Sequence, residues 1–205
     1  YRLNTDFKEE KFDFGRMFGF AYGEKENGAV FSHMAVMYAN ALYKRGFIKE
    51  GYKVLKNLLD SAMDFENSVM YPGIPEYFDN EGRGLYAYLT GAASWYMLTM
   101  ITEVFGVRGE FGNLVIKPAL LPEQFDKEGK AAIKLKFAGI TLKITIHADV
   151  DNIHHNNGVY DKIIRVECDG NELETADLGK VVIMKKTIEE MSRKKCHEIE
   201  VFIKY

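Results

Sequence analysis

Two segments of this chain carry side chains whose types and spacing could serve one anion. Lys25-Glu26-Asn27-Gly28-Ala29-Val30-Phe31-Ser32-His33 sets a lysine, a carboxylate and an imidazole just ahead of an amphipathic run. Leu89-Thr90-Gly91 opens another such run. The first amides of a helix are unpaired and carry partial positive charge, so they accept anions readily. Thr90 suits an N-cap, and Gly91 would let an oxyanion approach the backbone closely. His33 could donate to an oxyanion, with a charge that adjusts near neutral pH. Plainer readings stand beside these: Thr90 as an ordinary cap, His33 as a structural hydrogen-bonder, Lys25 and Glu26 as a solvated pair.

A third segment, Tyr71-Pro72-Gly73-Ile74-Pro75-Glu76-Tyr77-Phe78, holds Glu76 among prolines and aromatics. It could accept hydrogen bonds from sugar hydroxyls. A general-acid role is open chemically, but inverting glycosidases need two carboxyl groups flanking the bond. Asp6, Asp13 and Asp79 are the other nearby candidates. His154-His155 with Asp149 and Asp151 has metal-ligand residue types, yet the Asn- and Asp-rich surroundings read as an exposed loop, and no metal is expected. The sequence has no Cys-x-x-Cys, no Gly-rich phosphate loop ending in Lys-Ser/Thr and no Gly-x-Ser-x-Gly. Nucleotide hydrolysis and serine-esterase chemistry are therefore unsupported.

Helical spacing positions these segments over the first half. Met34, Met37, Tyr38, Ala41 and Leu42 predict one apolar stripe, ending at Gly46. Val54, Leu55, Leu58, Leu59 and Ala62 predict a second helix over about 48–65. Leu89, Ala92, Ala93, Tyr96, Met97, Met100, Ile101 and Val104 predict a third, stopped by Gly106. Past Gly106 the period falls to two. Ile133, Leu135 and Phe137, then Ile140, Leu142, Ile144 and Ile146, predict a hairpin turning at Ala138-Gly139. Further strands are expected over 163–168, 180–184 and 198–203, with a turn at Asp169-Gly170 and an edge over 171–173. A helical turn is expected over 187–191, with Thr187 and Glu190 in capping-box spacing. The pattern is α+β: a helical domain over 1–106, then an antiparallel β-sandwich over 107–205.

With 205 residues, 47% of them hydrophobic, the chain can bury a real core. A net charge of −3 gives no basic footprint, so neither nucleic acid nor an anionic membrane is an expected partner. Cys168 and Cys196 make no disulfide framework and fit a reducing compartment. No apolar run is long enough to span a bilayer and no signal peptide opens the sequence, so the default is a cytoplasmic protein. Phe7, Phe12, Phe14, Phe18, Phe20, Tyr22 and Phe31 crowd the first half. They predict core packing or, more sharply, stacking on sugar rings.

Taken with Gly112-Asn113-Leu114-Val115-Ile116-Lys117-Pro118, the three segments resemble the C-terminal end of inverting glycoside phosphorylases related to cellobiose phosphorylase. The resemblance implies that the helices close an (α/α)6 barrel and that the strands form a jelly-roll-like layer. It implies phosphate binding by His33, Thr90 and Gly91, within a Glu-Asn-Gly-x-x-Phe-x-His pattern and a Leu-Thr-Gly-Ala-Ala-Ser-Trp motif. Lys25, Glu26 and Glu76 would contact sugar. The co-substrate would be inorganic phosphate, the partner a β-linked gluco-oligosaccharide and the product α-glucose 1-phosphate, with no other cofactor. Asn4-Thr5-Asp6-Phe7 and Gly19-Phe20-Ala21-Tyr22-Gly23 resemble phosphorylases of β-1,2-linked oligoglucans, while Arg16, Phe20 and Tyr22 depart from a cellobiose-specific pattern.

The family's general acid is an aspartate upstream of these motifs, and no Asp here has the matching context. No catalytic residue is therefore assigned within 1–205. The chain reads as a C-terminal piece, inactive alone, whose exposed apolar surface would meet the remainder of the barrel or a second copy. A non-catalytic carbohydrate-binding or scaffold module, or a related-barrel hydrolase using Glu76, are the rival readings.

Overall fold

The computed structural model describes the chain except for residues 1, 10, 72, 88–90, 150–159, 161, 174–178, 192 and 194. It forms two compact units, Tyr1–Thr99 and Met100–Tyr205.

The first unit is built on three helices: α1 (Ser32–Lys44), α2 (Ile48–Met63) and, after the single turn α3 (Phe65–Ser68), α4 (Gly91–Thr99). Helix α1 packs against both α2 and α4. It buries Ala35, Val36, Ala39, Asn40 and Tyr43 rather than the expected stripe, and Met34, Met37 and Tyr38 are exposed. Two neighbours need close approach, so Ala35, Val36 and Ala39 face inward while Met34, Met37 and Tyr38 do not, and Tyr43 is buried at the α2 crossing. At the α1–α2 crossing, a Cβ on Gly51 would lie 2.6 Å from the Tyr43 ring. Asn40 Nδ2 donates to Thr99 Oγ1 (3.1 Å), a buried bond tying α1 to α4. Helix α2 buries Val54, Leu55, Leu58 and Ala62 as expected, with Leu59 left exposed.

A small antiparallel sheet joins the loops to the helices, in the order β1 (Val30–Phe31), β2 (Tyr77–Phe78), β3 (Gly84–Leu85). Val30 pairs with Phe78 and Phe31 with Tyr77, so the two pairs point to opposite faces. The aromatic N-terminal segment does not enter the core. Its 3₁₀ turns over Phe12–Gly19 break at Gly15 and bury no residue, and Phe7, Phe14 and Phe18 cluster at the surface.

The second unit opens with a π-helical turn, Met100–Val104, whose i→i−5 bond runs from Phe105 N to Met100 O. Gly106, at φ +67°, turns the chain out of it. Strands β4 (Val107–Glu110), β5 (Asn113–Ile116) and β10 (Val181–Ile183) form one sheet, ordered β10-β5-β4. Strands β6 (Lys130–Phe137), β7 (Ile140–Ala148), β8 (Lys162–Cys168), β9 (Asn171–Glu172) and β11 (Cys196–Lys204) form another, ordered β6-β7-β11-β8-β9. Leu142, Ile144, Ile146, Ile163, Val166, Ile199, Val201 and Ile203 are buried along its apolar face.

The β6–β7 turn is the expected one, with Ala138 and Gly139 both at positive φ. Two expectations fail in this unit. The β7–β11 ladder runs parallel, where an antiparallel sheet was expected: β11 lies between β7 and β8 and is antiparallel only to β8. Strand order is set by long-range pairing, which alternation does not encode. Helix α5 (Lys185–Glu190) starts two residues before Thr187, so Thr187 caps nothing; instead Asn113 Oδ1 accepts from Lys185 N (2.8 Å).

Candidate functional site

His33 sits in the first turn of α1, directly after β1. The preceding loop is folded by its own polar groups. Asn27, 6% exposed, donates through Nδ2 to Phe20 O (2.8 Å) and accepts at Oδ1 from Asn4 Nδ2 (3.1 Å). Gly28 adopts φ +84° with the Tyr22 ring where a Cβ would be, 2.4 Å away. The Asn-Gly pair is thus a folding device that delivers β1 and His33.

Gly91, the first residue of α4, meets His33 directly. A Cβ at position 91 would lie 2.6 Å from His33 Cε1 and 2.8 Å from Nδ1. The imidazole therefore lies against the helix opening and occupies the space beside Gly91. Among the described residues, His33 Nε2 is buried without a hydrogen-bond partner. The neighbouring Ser32 hydroxyl, fully buried, likewise has none. Thr90 lies outside the described residues. Trp95, one turn after Gly91, brings its ring to 6.1 Å from the imidazole.

Lys25 and Glu76 belong to the adjoining patch. Ser32 N donates to Glu76 O (2.9 Å), which locks the Glu76 backbone to the start of α1. Lys25, at φ +42°, holds Nζ 4.0 Å from the Tyr86 ring centre and 5.8 Å from that of Tyr77. Tyr86 raises the Lys25 ammonium pKa above its usual value, against partial desolvation, and the Glu76 and Tyr77 charges add to the rise. Lys25 is a cation throughout the physiological range. Burial pushes the Tyr77 hydroxyl upward. The patch is an aromatic box with one fixed cation and a carboxylate, suited to a polar ligand with apolar ring faces.

Glu26 turns elsewhere: its Oε1 is 3.3 Å from Arg16 Nε. Asp79 is excluded as a free proton donor. Burial drives its carboxyl upward, but the Arg83 amide and guanidinium and the Glu81 amide outweigh that and hold it below the ordinary range. Asp6 accepts from Lys8 N (2.8 Å) in an exposed turn, and Asp13 is exposed. His154, His155 and Asp151 lie outside the described residues, among which no group of three metal-ligating side chains gathers. Among them, too, no helix is long and apolar enough to cross a membrane.

Trp95 and Tyr77 entered the sequence reading only as parts of motifs, and Tyr86 did not enter it. Trp95 had a signal, since position i+4 from Gly91 lies on the same helix face. Tyr86 had none, because only the tertiary fold brings it to Lys25.

No protein-family model matches the chain. The cellobionic acid phosphorylase of Neurospora crassa is 26% identical over 165 residues, which are 74% of this chain and 20% of that protein. The chain thus spans about a fifth of the length of this relative. The likeness is distant and partial, and it supports a relationship to a phosphorylase-like family.

Proposed function

We propose that this chain supplies the phosphate pocket and part of the sugar-binding wall of an inverting glycoside phosphorylase. The observation that carries the reading is the His33 imidazole seated against the first residue of α4, with a buried Nε2 that has no hydrogen-bond partner among the described residues. Helix-opening amides and an imidazole N–H are donors of the kind that hold phosphate. Lys25 and Glu76, with Tyr77 and Tyr86, would hold the sugar beside it. Glu26, held by Arg16, would shape the loop more than touch the ligand.

In the proposed reaction, a phosphate oxygen attacks the anomeric carbon of a β-linked gluco-oligosaccharide. The glycosidic C–O bond breaks as the new bond forms on the opposite face, and the product is an α-sugar 1-phosphate. An acid must protonate the leaving oxygen. Asp79 is committed to Arg83, so the reading assigns that acid to a residue outside the set described above. The helices would belong to an (α/α)6 barrel and the strands to a jelly-roll-like domain. Linkage specificity, including the β-1,2 preference suggested by the N-terminal motifs, is part of the proposal.

Trp95 is the single tryptophan in the sequence, so its fluorescence reports on this pocket. Titration with inorganic phosphate should change its emission saturably, and His33→Ala should weaken that response about tenfold or more, the equivalent of ~1.4 kcal/mol. A response insensitive to His33→Ala would overturn the phosphate assignment. In the active protein, glycoside cleavage that proceeds equally without phosphate would instead establish a hydrolase.

A further inference from the structure

The small sheet of the first unit has a second face, and a different pocket opens there. Its volume is about 480 Å³, and its lining comes from the N-terminal segment, β1, α1, α2 and the β2–β3 turn. Val30 and Phe78 are cross-strand partners, whereas the next pair, Phe31 and Tyr77, carries the aromatic patch beside His33. Successive strand residues point to opposite faces, so this pocket and the phosphate site are separate.

The lining is organised in two layers. Val30, Ala35, Val54, Leu58 and Phe78 form an apolar floor. Above it, Lys53, Asn57 and Ser61 stand four residues apart, and so line one side of α2 in a row. Arg2 lines the same pocket, and its guanidinium donates to Gly28 O (2.9 Å) and Asn80 O (3.3 Å). The Asp79 carboxylate in the lining is already neutralised by Arg83 and by the two amides. Lys53 has no ion pair among the described residues. The balance facing a ligand is therefore cationic, with an amide and a hydroxyl between the charges.

We propose that this pocket is a second binding site, for a sugar anion of mono- to disaccharide size. The volume falls within the range of small-molecule sites. An apolar floor suits the C–H face of a pyranose, Asn57 and Ser61 suit its hydroxyls, and Lys53 with Arg2 suits an attached phosphate or carboxylate. A neutral sugar would leave both cations without a counter-charge, so the anion decides affinity.

The test is an amide chemical-shift titration of the full chain carrying His33→Ala, which removes the first site from the readout. Three probes are used: α-glucose 1-phosphate, gluconate and glucose. Either anion should shift the Lys53, Asn57, Ser61 and Val30 amides saturably, and glucose should bind about tenfold more weakly or worse. The anion that binds more tightly identifies a sugar phosphate or a sugar acid as the ligand. Lys53→Glu should weaken anion binding at least tenfold, and Lys53→Gln by less; Lys53 is exposed, so unchanged melting curves would verify folding. Absence of shifts at these amides with either anion, or an affinity untouched by Lys53→Glu, would overturn the proposal whatever the phosphate response of Trp95.

Discussion

The His33 imidazole fills the space that any side chain at position 91 would need, with ring atoms 2.6–2.9 Å from an idealised Gly91 Cβ. The contact makes a testable demand. Elsewhere in an exposed helix, Gly→Ala gains roughly 0.8–1 kcal/mol. Here Gly91→Ala must push the ring aside, so most of that gain should vanish. The Trp95 response to phosphate should weaken about tenfold. A titration curve identical to that of the unaltered protein would show that the ring position is immaterial to the anion.

Gly28→Ala should destabilise the first unit. The residue sits at φ +84°, and the new Cβ would be 2.4 Å from Tyr22 Cε2. Backbone strain and the displaced ring together predict a loss of about 1–3 kcal/mol in chemical denaturation. Since this turn delivers β1, the phosphate response of Trp95 should fall with it.

In the second unit, Glu103 is 5% exposed and accepts at Oε2 from Arg108 Nη2 (2.8 Å) and at Oε1 from Thr102 Oγ1 (3.1 Å). Arg108 Nε also donates to Thr102 O (2.6 Å), clamping the π-helical turn to β4. Removing the cation strands a buried carboxylate. Arg108→Ala should cost about 2 kcal/mol, moderated by the partial exposure of the arginine. Adding Glu103→Gln should recover part of that loss, because a neutral amide is cheaper to leave unpaired. Equal stabilities of the single and double variants would refute the account.

Acid stability should depend on Asp169. Lys195 is the main cause, against some burial, with the Glu198 amide and His197 adding to it, and together they hold the Asp169 carboxyl down at about 2. A carboxyl lowered on folding stabilises the folded state above its unfolded pKa, and that contribution is lost as pH falls toward about 2. Asp169→Asn should therefore lower the unfolding free energy at neutral pH by an amount on the order of 1 kcal/mol. The gap to the unaltered protein should narrow between about pH 4 and 2. A gap that stays constant across that window would mean that the charge is not what Asp169 contributes.

Local patterns in the sequence carried much of this far. Period-two alternation with Ala138-Gly139 defined the β6–β7 hairpin, because strand faces and positive-φ turns are properties of neighbouring residues. The spacing around Val54, Leu55, Leu58 and Ala62 located both α2 and its buried face. His33 and Gly91 were recognisable by type, as an imidazole and a helix-opening glycine.

What tertiary structure decided was every relation between distant residues. It placed His33 against Gly91, Lys25 under Tyr86, and Glu26 on Arg16, none of which has a sequence period. It turned Ala35, Val36 and Ala39 inward because two helices pack on α1 at once, leaving Met34, Met37 and Tyr38 outside. It also ran β11 parallel to β7, since pairing order follows which buried faces meet and not the alternation within either strand. Short-range sterics write themselves into adjacent residues; the convergence of side chains on a site is settled by packing among segments far apart in the chain.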